Sequence, residues 1–312
     1  KLNEFELALF QDEKRFKKVF TPTKQYVKAK YSMYNQAISI NPKALWSGTQ
    51  ATFLQKAASL FFIQSAIQLN NRFIGERGIA QYNPFLYVDD DSLLLNNASS
   101  IVHSVFFNRF SNRFGIDYIR TSTIGRTLLN YGIDNRKNKD ELVRVRYNIH
   151  RQITLGCQAK TGTRFFSSPF LENRNYNIRI QALEPSITYI TKNNQFRMQT
   201  TYKLDQRANA KLLGAEVSSA NNLQLELKYN VLSSGSLQSR FTFTDILYDG
   251  EANSGLGYAM LDGLQKGKNY LWMGGFQKRV SKSIEMNIEY EGRKPGTGSV
   301  IHTGRASVRA IF

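Results

Sequence analysis

No stretch of this 312-residue chain approaches the roughly 18 consecutive apolar residues of a membrane-crossing helix. The strongest candidate, AASLFFIQSAI at 57–67, is broken by Gln64 and Ser65. What recurs instead is a period of two. In the closing GRASVRAIF, Gly304, Ala306, Val308, Ala310 and Phe312 share one side of an extended strand, and Thr303, Arg305, Ser307 and Arg309 share the other. This follows because successive side chains of a strand point to opposite faces. One side is apolar and the other cationic. The preceding SIEMNIEYE repeats the rhythm, with Ile284, Met286, Ile288 and Tyr290 opposite Glu285, Asn287, Glu289 and Glu291. The turn-rich GRKPGTGS between the two runs predicts an antiparallel hairpin.

The alternation continues upstream. LQLELKYNV sets Leu223, Leu225, Leu227, Tyr229 and Val231 against Gln224, Glu226, Lys228 and Asn230. QFRMQTTYKL sets Phe196, Met198 and Tyr202 against Arg197, Gln199 and Lys203, and VRVRYNI sets Val143, Val145, Tyr147 and Ile149 against Arg144, Arg146 and Asn148. NEFELALF alternates Glu4 and Glu6 with Phe5, Leu7 and Leu9. An aromatic fraction of 12% with only 6 Pro suits strands rather than helices. Candidate strands fall at 1–10, 24–40, 50–74, 100–110, 114–133, 140–149, 152–164, 176–190, 195–205, 221–232, 236–248, 268–280, 283–294 and 299–312, about fourteen in all. The alternation slips at Pro185 and over 244–247, where a bulge is expected.

Connection lengths are asymmetric. Short ones fall at 111–114, 149–152, 191–195, 232–236 and 280–283, and long ones at 75–99, 165–174, 205–221 and 250–267. Tight periplasmic turns alternating with long extracellular loops are the pattern of an outer-membrane barrel. The expected fold is therefore all-β: a transmembrane antiparallel up-and-down β-barrel of about 14 strands, occupying 1–312 as a single unit. A soluble sandwich also alternates, but favours strands of about five or six residues and has no need of turn asymmetry.

The formal charge of +18 raises the question of nucleic acid, yet the Lys and Arg are scattered and no binding signature accompanies them, so no nucleic-acid partner is expected. The single cysteine, Cys157, permits no internal disulfide and reads as a small apolar residue on a strand face. A start at Lys1 is expected of a chain whose targeting segment was removed or that is part of something longer.

YNIRIQALEPSITYI (176–190), YAMLDGLQKGKNYLW (258–272) and EYEGRKPGTGSVIHTGRASVRAIF (289–312) resemble the C-terminal barrel of large outer-membrane proteins of Bacteroidota. IQLNNRFIG (67–75) followed by YNPFLYVDDDS (82–92) is similar to an upstream hairpin and loop of that group. The resemblance implies location, fold and soluble domains ahead of the barrel, and carries over no active-site residue.

For function, the inward charges are the strongest signal. Arg144, Arg146, Lys160, Arg179, Arg197 and Lys203 form a basic arc, and Glu285, Glu289 and Glu291 an acidic one. They either select anionic solutes or pair across strands and fill the interior, and lumen polarity common to all barrels favours pairing. A closed barrel would seat Arg305 and Arg309 between Glu285, Glu289 and Glu291 on one side and Glu4 and Glu6 on the other, forming the seam. The ending Val308, Ala310, Phe312 is expected to be the signal read by barrel assembly machinery.

Other motifs are weaker. Asp89, Asp90 and Asp91 lack the alternate acids and turn glycine of a calcium loop. His103, His150 and His302 are too scattered for a metal set, and GLQKGK at 263–268 is one residue short of a phosphate loop. Lys14, Arg15, Lys17 and Lys18 could meet phosphates of lipopolysaccharide or simply be solvated. No cofactor, metal or enzymatic activity is expected. The expected role is that of a membrane anchor or scaffold within a multiprotein outer-membrane export, protein-insertion or uptake machine. Its partners would be lipopolysaccharide and other outer-membrane lipids, and further outer-membrane proteins or lipoproteins. The alternative is a passive porin-like channel with a charged, partly anion-attracting lumen.

Overall fold

The computed structural model describes residues 29–45, 52–74, 94–129, 132–169, 172–231, 235–281 and 283–310. Their dominant feature is one antiparallel sheet in which thirteen strands pair strictly in chain order. The strands are β1 (Ala29–Ile40), β2 (Phe61–Ile74), β3 (Leu94–Phe107), β4 (Phe114–Leu129), β5 (Gly132–His150), β6 (Ile153–Ser167), β7 (Tyr176–Ile190), β8 (Phe196–Asn209), β9 (Val217–Val231), β10 (Gly235–Tyr248), β11 (Gly267–Ser281), β12 (Ile284–Lys294) and β13 (Ile301–Ala310). Short helices α1 (Pro42–Leu45) and α2 (Phe53–Ala58) lie between β1 and β2, and α3 (Gly255–Leu261) between β10 and β11. Among the described residues no helix is long and apolar enough to cross a membrane. No pairing joins β1 to β13.

Thirteen described strands stand where fourteen were expected, and the expected first strand, 1–10, lies outside the described residues. The expected strand over 50–74 begins only at Phe61. Before it, Thr52 caps α2, its hydroxyl accepting from Gln55 N while the Gln55 side chain accepts from Thr52 N, and this reciprocal box commits 53–58 to helix. Residues 94–99, expected in a loop, and 134–139, which lie between two expected strands, belong to β3 and β5. Neither expected bulge exists. Pro185 keeps its register against Cys157 on β6. Toward β8 the pairing lapses only at 184 and 185 and resumes unshifted at Ser186 opposite Thr201, because a missing N–H deletes ladder bonds without inserting a residue. Across 244–247 the register on β9 is continuous, and on β11 it runs unshifted to its last pair, Ile246 opposite Gly267. The shifts occur near strand ends, at Arg72/Phe73, Asn148/His150 and Arg279/Ser281.

The asymmetry of connections is present from β3 onward. Connections 108–113, 151–152, 191–195, 232–234 and 282–283 share one end of the sheet, and 168–175, 210–216, 249–266 and 295–300 the other. Two spacings depart from it: β1 and β2 are separated by 41–60, which includes α1 and α2, and β4 and β5 by only two positions because β5 starts early.

Register decides what each face carries. Arg144 stands between Asp117 and Gln158, Arg240 between Glu226 and Met273, and Asn287 between Gln277 and Ser307, so one face is polar from β4 to β13. On the other face Val143 meets Ala159, Ala159 meets Leu183, Leu225 meets Phe241, Phe241 meets Trp272, and Ile288 meets Ala306. That face is open to its surroundings: Leu183, Ile187, Leu237, Ile288 and Val308 are all exposed. The buried apolar cluster of the described residues lies elsewhere, on the polar face beneath α3.

Candidate functional site

Connection 249–266 turns back over the polar face at the long-loop end. Ser254 starts α3 by accepting from Gly257 N at 2.9 Å while donating to Glu251 O at 2.8 Å. Gly257 is required at this point, since a Cβ there would stand 2.3 Å from Glu251 O. Asp262 ends the helix in a left-handed conformation, with φ of 52°. One side of α3, carrying Leu256, Met260 and Leu261, packs on Ile178 and Ile180 of β7 and on Ile246 and Tyr248 of β10. Ile178, Ile180 and Ile246 share the parity of the polar face, so the helix covers apolar residues on that face.

Arg207 of β8 fastens the helix. Its guanidinium is 8% exposed and donates to both oxygens of Asp205 at 3.0 Å, to Ala259 O at 3.0 Å and to Asp262 Oδ1 at 2.7 Å, with a further bond to Asp262 Oδ2. Lys203 adds a contact to Asp205 at 2.9 Å. Two cations therefore face two carboxylates, and the guanidinium is bound in a fork on each side, the geometry that makes such pairs directional as well as strong.

The expected basic arc is largely assembled. Arg144, Arg146, Lys160, Arg197 and Lys203 share the polar face. Arg179 does not: it lies between Ile178 and Ile180, whose side chains go under α3, and so it is exposed on the opposite face. The arc is also neutralised locally. Arg144 lies 3.9 Å from Asp117 and donates to Gln158, Lys160 lies 3.4 Å from Asp140, and Arg164 grips the same Asp140 in a fork at 2.8 and 2.9 Å. Arg146 donates to Ser111 O and Arg197 to Gln199. Asp117, Asp140, Asp205 and Arg207 are the partners that sequence reading did not single out, while Glu226, already on the polar side of its run, accepts from Arg240. Their signal was strand parity, since each occupies a polar-face position.

In the acidic arc, Glu289 stands opposite Arg305 and Glu285 opposite Arg309, while Glu291 faces Thr303. Asn287 donates to Glu289, and Gln277 to Glu285. Glu285, Glu289, Asn287 and Gln277 line, with Lys228, Gln238 and Arg309, a polar cleft of about 350 Å³. Val308 and Ala310 lie on the apolar face. Phe312, Glu4, Glu6, the 89–91 acids and Lys14, Arg15, Lys17 and Lys18 lie outside the described residues. His103 bonds Ser65 and His302 bonds Tyr290, and among the described residues no group of side chains could hold a metal ion.

Together these elements define an all-β, antiparallel up-and-down sheet with one charge-paired face, one exposed apolar face and a loop helix locked onto the charged side. No protein-family model matches the chain, and no curated protein matches it.

Proposed function

We propose that this chain is an outer-membrane β-barrel whose charged face is turned inward and whose apolar face meets lipid, and that it anchors a multiprotein machine for export, protein insertion or uptake. Support for the membrane setting comes from the exposed apolar face. Contiguous apolar patches beyond a few hundred Å² are rare on soluble monomers, whereas Leu183, Ile187, Leu237 and Ile288 belong to a band that runs across successive strands. In this reading the long loops face outward, lipopolysaccharide and other outer-membrane lipids surround the barrel, barrel assembly machinery inserts it, and other outer-membrane proteins or lipoproteins complete the machine. Membership among the large outer-membrane proteins of Bacteroidota belongs to the same proposal.

The observation that carries the anchor reading over the passive pore is α3. A pore that works by its lumen keeps the lumen clear, yet here a loop helix is seated on the charged face by an apolar cluster and a forked arginine. Three of the basic-arc cations, Arg144, Lys160 and Lys203, are occupied by neighbouring carboxylates. Single-channel recording in planar bilayers tests this. The expected result is a quiet membrane, and a steady, large, anion-preferring conductance would establish the pore instead.

A further inference from the structure

Beside α3 a cavity of about 550 Å³ opens at the long-loop end between the helix and the ends of β5, β6 and β7, and shares Ala259 and Asp262 with the contacts of Arg207. Three aromatic rings and two arginines line it. Phe166 and Tyr176 stack with centroids 5.7 Å apart, and the Arg136 guanidinium lies over the Phe166 ring at 5.2 Å. Tyr258, on α3, is 72% exposed. A Cβ added at Gly263 would stand 3.2 Å from its ring, so the turn after the helix supports one side of the ring. Arg174 enters from the connection between β6 and β7.

Elsewhere on the polar face Arg146 and Arg197 are without a carboxylate among the described residues but donate to Ser111 O and Gln199. Arg144, Lys160, Arg164, Lys203, Arg207 and Arg240 each have a carboxylate partner. Arg136 and Arg174 have no ion pair among the described residues, and the one acid lining the cavity, Asp262, is held by Arg207. Two uncompensated guanidiniums beside aromatic rings supply both halves of a recognition chemistry. The forks take a planar anion at two points, and the exposed Tyr258 ring takes the flat C–H face of a sugar, Phe166 being buried between Tyr176 and Arg136. The size suits a compact ligand, since pockets of about 300–1,000 Å³ enclose small molecules.

We infer that this cavity is a binding site for a soluble anionic saccharide, a sugar ring carrying a carboxylate. A bare anion would leave the Tyr258 ring unused, and a neutral sugar would leave both arginines unpaired.

The test is titration calorimetry of the chain in detergent micelles with digalacturonate, and with lactose and inorganic phosphate as comparators. Digalacturonate is expected to bind at least tenfold more tightly than either. The double variant Arg136→Gln/Arg174→Gln and, separately, Tyr258→Ala are each expected to weaken it at least tenfold with the far-ultraviolet dichroism unchanged. Both arginines and Tyr258 are exposed, so these changes leave the sheet intact. The inference is overturned if digalacturonate does not bind, if lactose or phosphate binds equally well, or if the variants bind like the unaltered chain. None of these outcomes bears on conductance, so failure here is separable from failure of the anchor reading.

Discussion

Arg207 on β8 and Asp262 at the end of α3, 55 positions apart in the chain, are joined through two N–H donors of one guanidinium to both oxygens of one carboxylate. The same guanidinium holds Asp205, so a strand and a distant loop share one charge centre. Removing it leaves Asp205 buried beside Lys203 alone and Asp262 without a partner on the sheet.

Arg207→Gln is therefore expected to release α3. Breaking a buried pair costs about 3–5 kcal/mol, and the exposure of Asp262 lowers the figure here to about 2 kcal/mol. Hydrogen exchange across 255–262 should quicken while exchange in β7 and β8 stays slow. A quickening spread evenly over the sheet would mean that the arginine stabilises the strands rather than the helix.

Leu183 lies at the middle of β7 on the apolar face. In a lipid-embedded barrel, Leu183→Arg should cost about 2–4 kcal/mol, as cations do at the bilayer midplane. On a solvated surface the same change falls within about 0.5 kcal/mol. Urea unfolding from liposomes, read by the loss of heat-modifiable mobility on a gel, separates the two figures.

Arg305 faces Glu289 and Arg309 faces Glu285 across β12 and β13. Opposite charges on facing positions contribute about 0.2–1 kcal/mol per pair. Arg305→Glu with Arg309→Glu should lower the unfolding temperature, and adding Glu285→Arg and Glu289→Arg should restore part of the loss. Absence of any recovery would show that the pairs are not coupled.

Topology is open to labelling. With Cys157→Ser as background, Leu212→Cys, at an almost fully exposed position in the connection between β8 and β9, should react with a membrane-impermeant thiol reagent on intact cells. Asn194→Cys, in the tight turn between β7 and β8, should not. Equal reaction at both would contradict an outward orientation of the long loops.

The strands of the C-terminal half were legible because their two faces meet two different environments along most of their length. β12 and β13 follow the alternation through the hairpin as expected. Legibility failed where a third element intervenes. Arg179 was assigned to the polar side because Arg is polar, but Ile178 and Ile180 are the residues drawn to that side, by a helix encoded some 80 positions later. The slip at 244–247 has the same origin, since Ile246 and Tyr248 are apolar on the polar face to receive α3. Periodicity registers a residue's face and not what a distant loop will lay upon it. In β5, DNRKNK (134–139) is polar on both faces and so carries no alternation to mark a strand, although its ladder to β4 is continuous. Arg207, the centre of the site, was passed over because one more arginine in a basic chain carries no local mark.

Strict neighbour-to-neighbour pairing of thirteen antiparallel strands fixes the relative direction of the two free edges: β1 and β13 point the same way. Direct contact between them would make a parallel ladder, with evenly spaced, slanted hydrogen bonds and slightly weaker pairing per residue, in a sheet otherwise built from perpendicular bonds. One additional strand between the edges, or any odd number, would return every contact to the antiparallel kind. The relative direction of the edge strands thus depends on parity, and a cross-link between β1 and β13 reports whether the two edges meet directly.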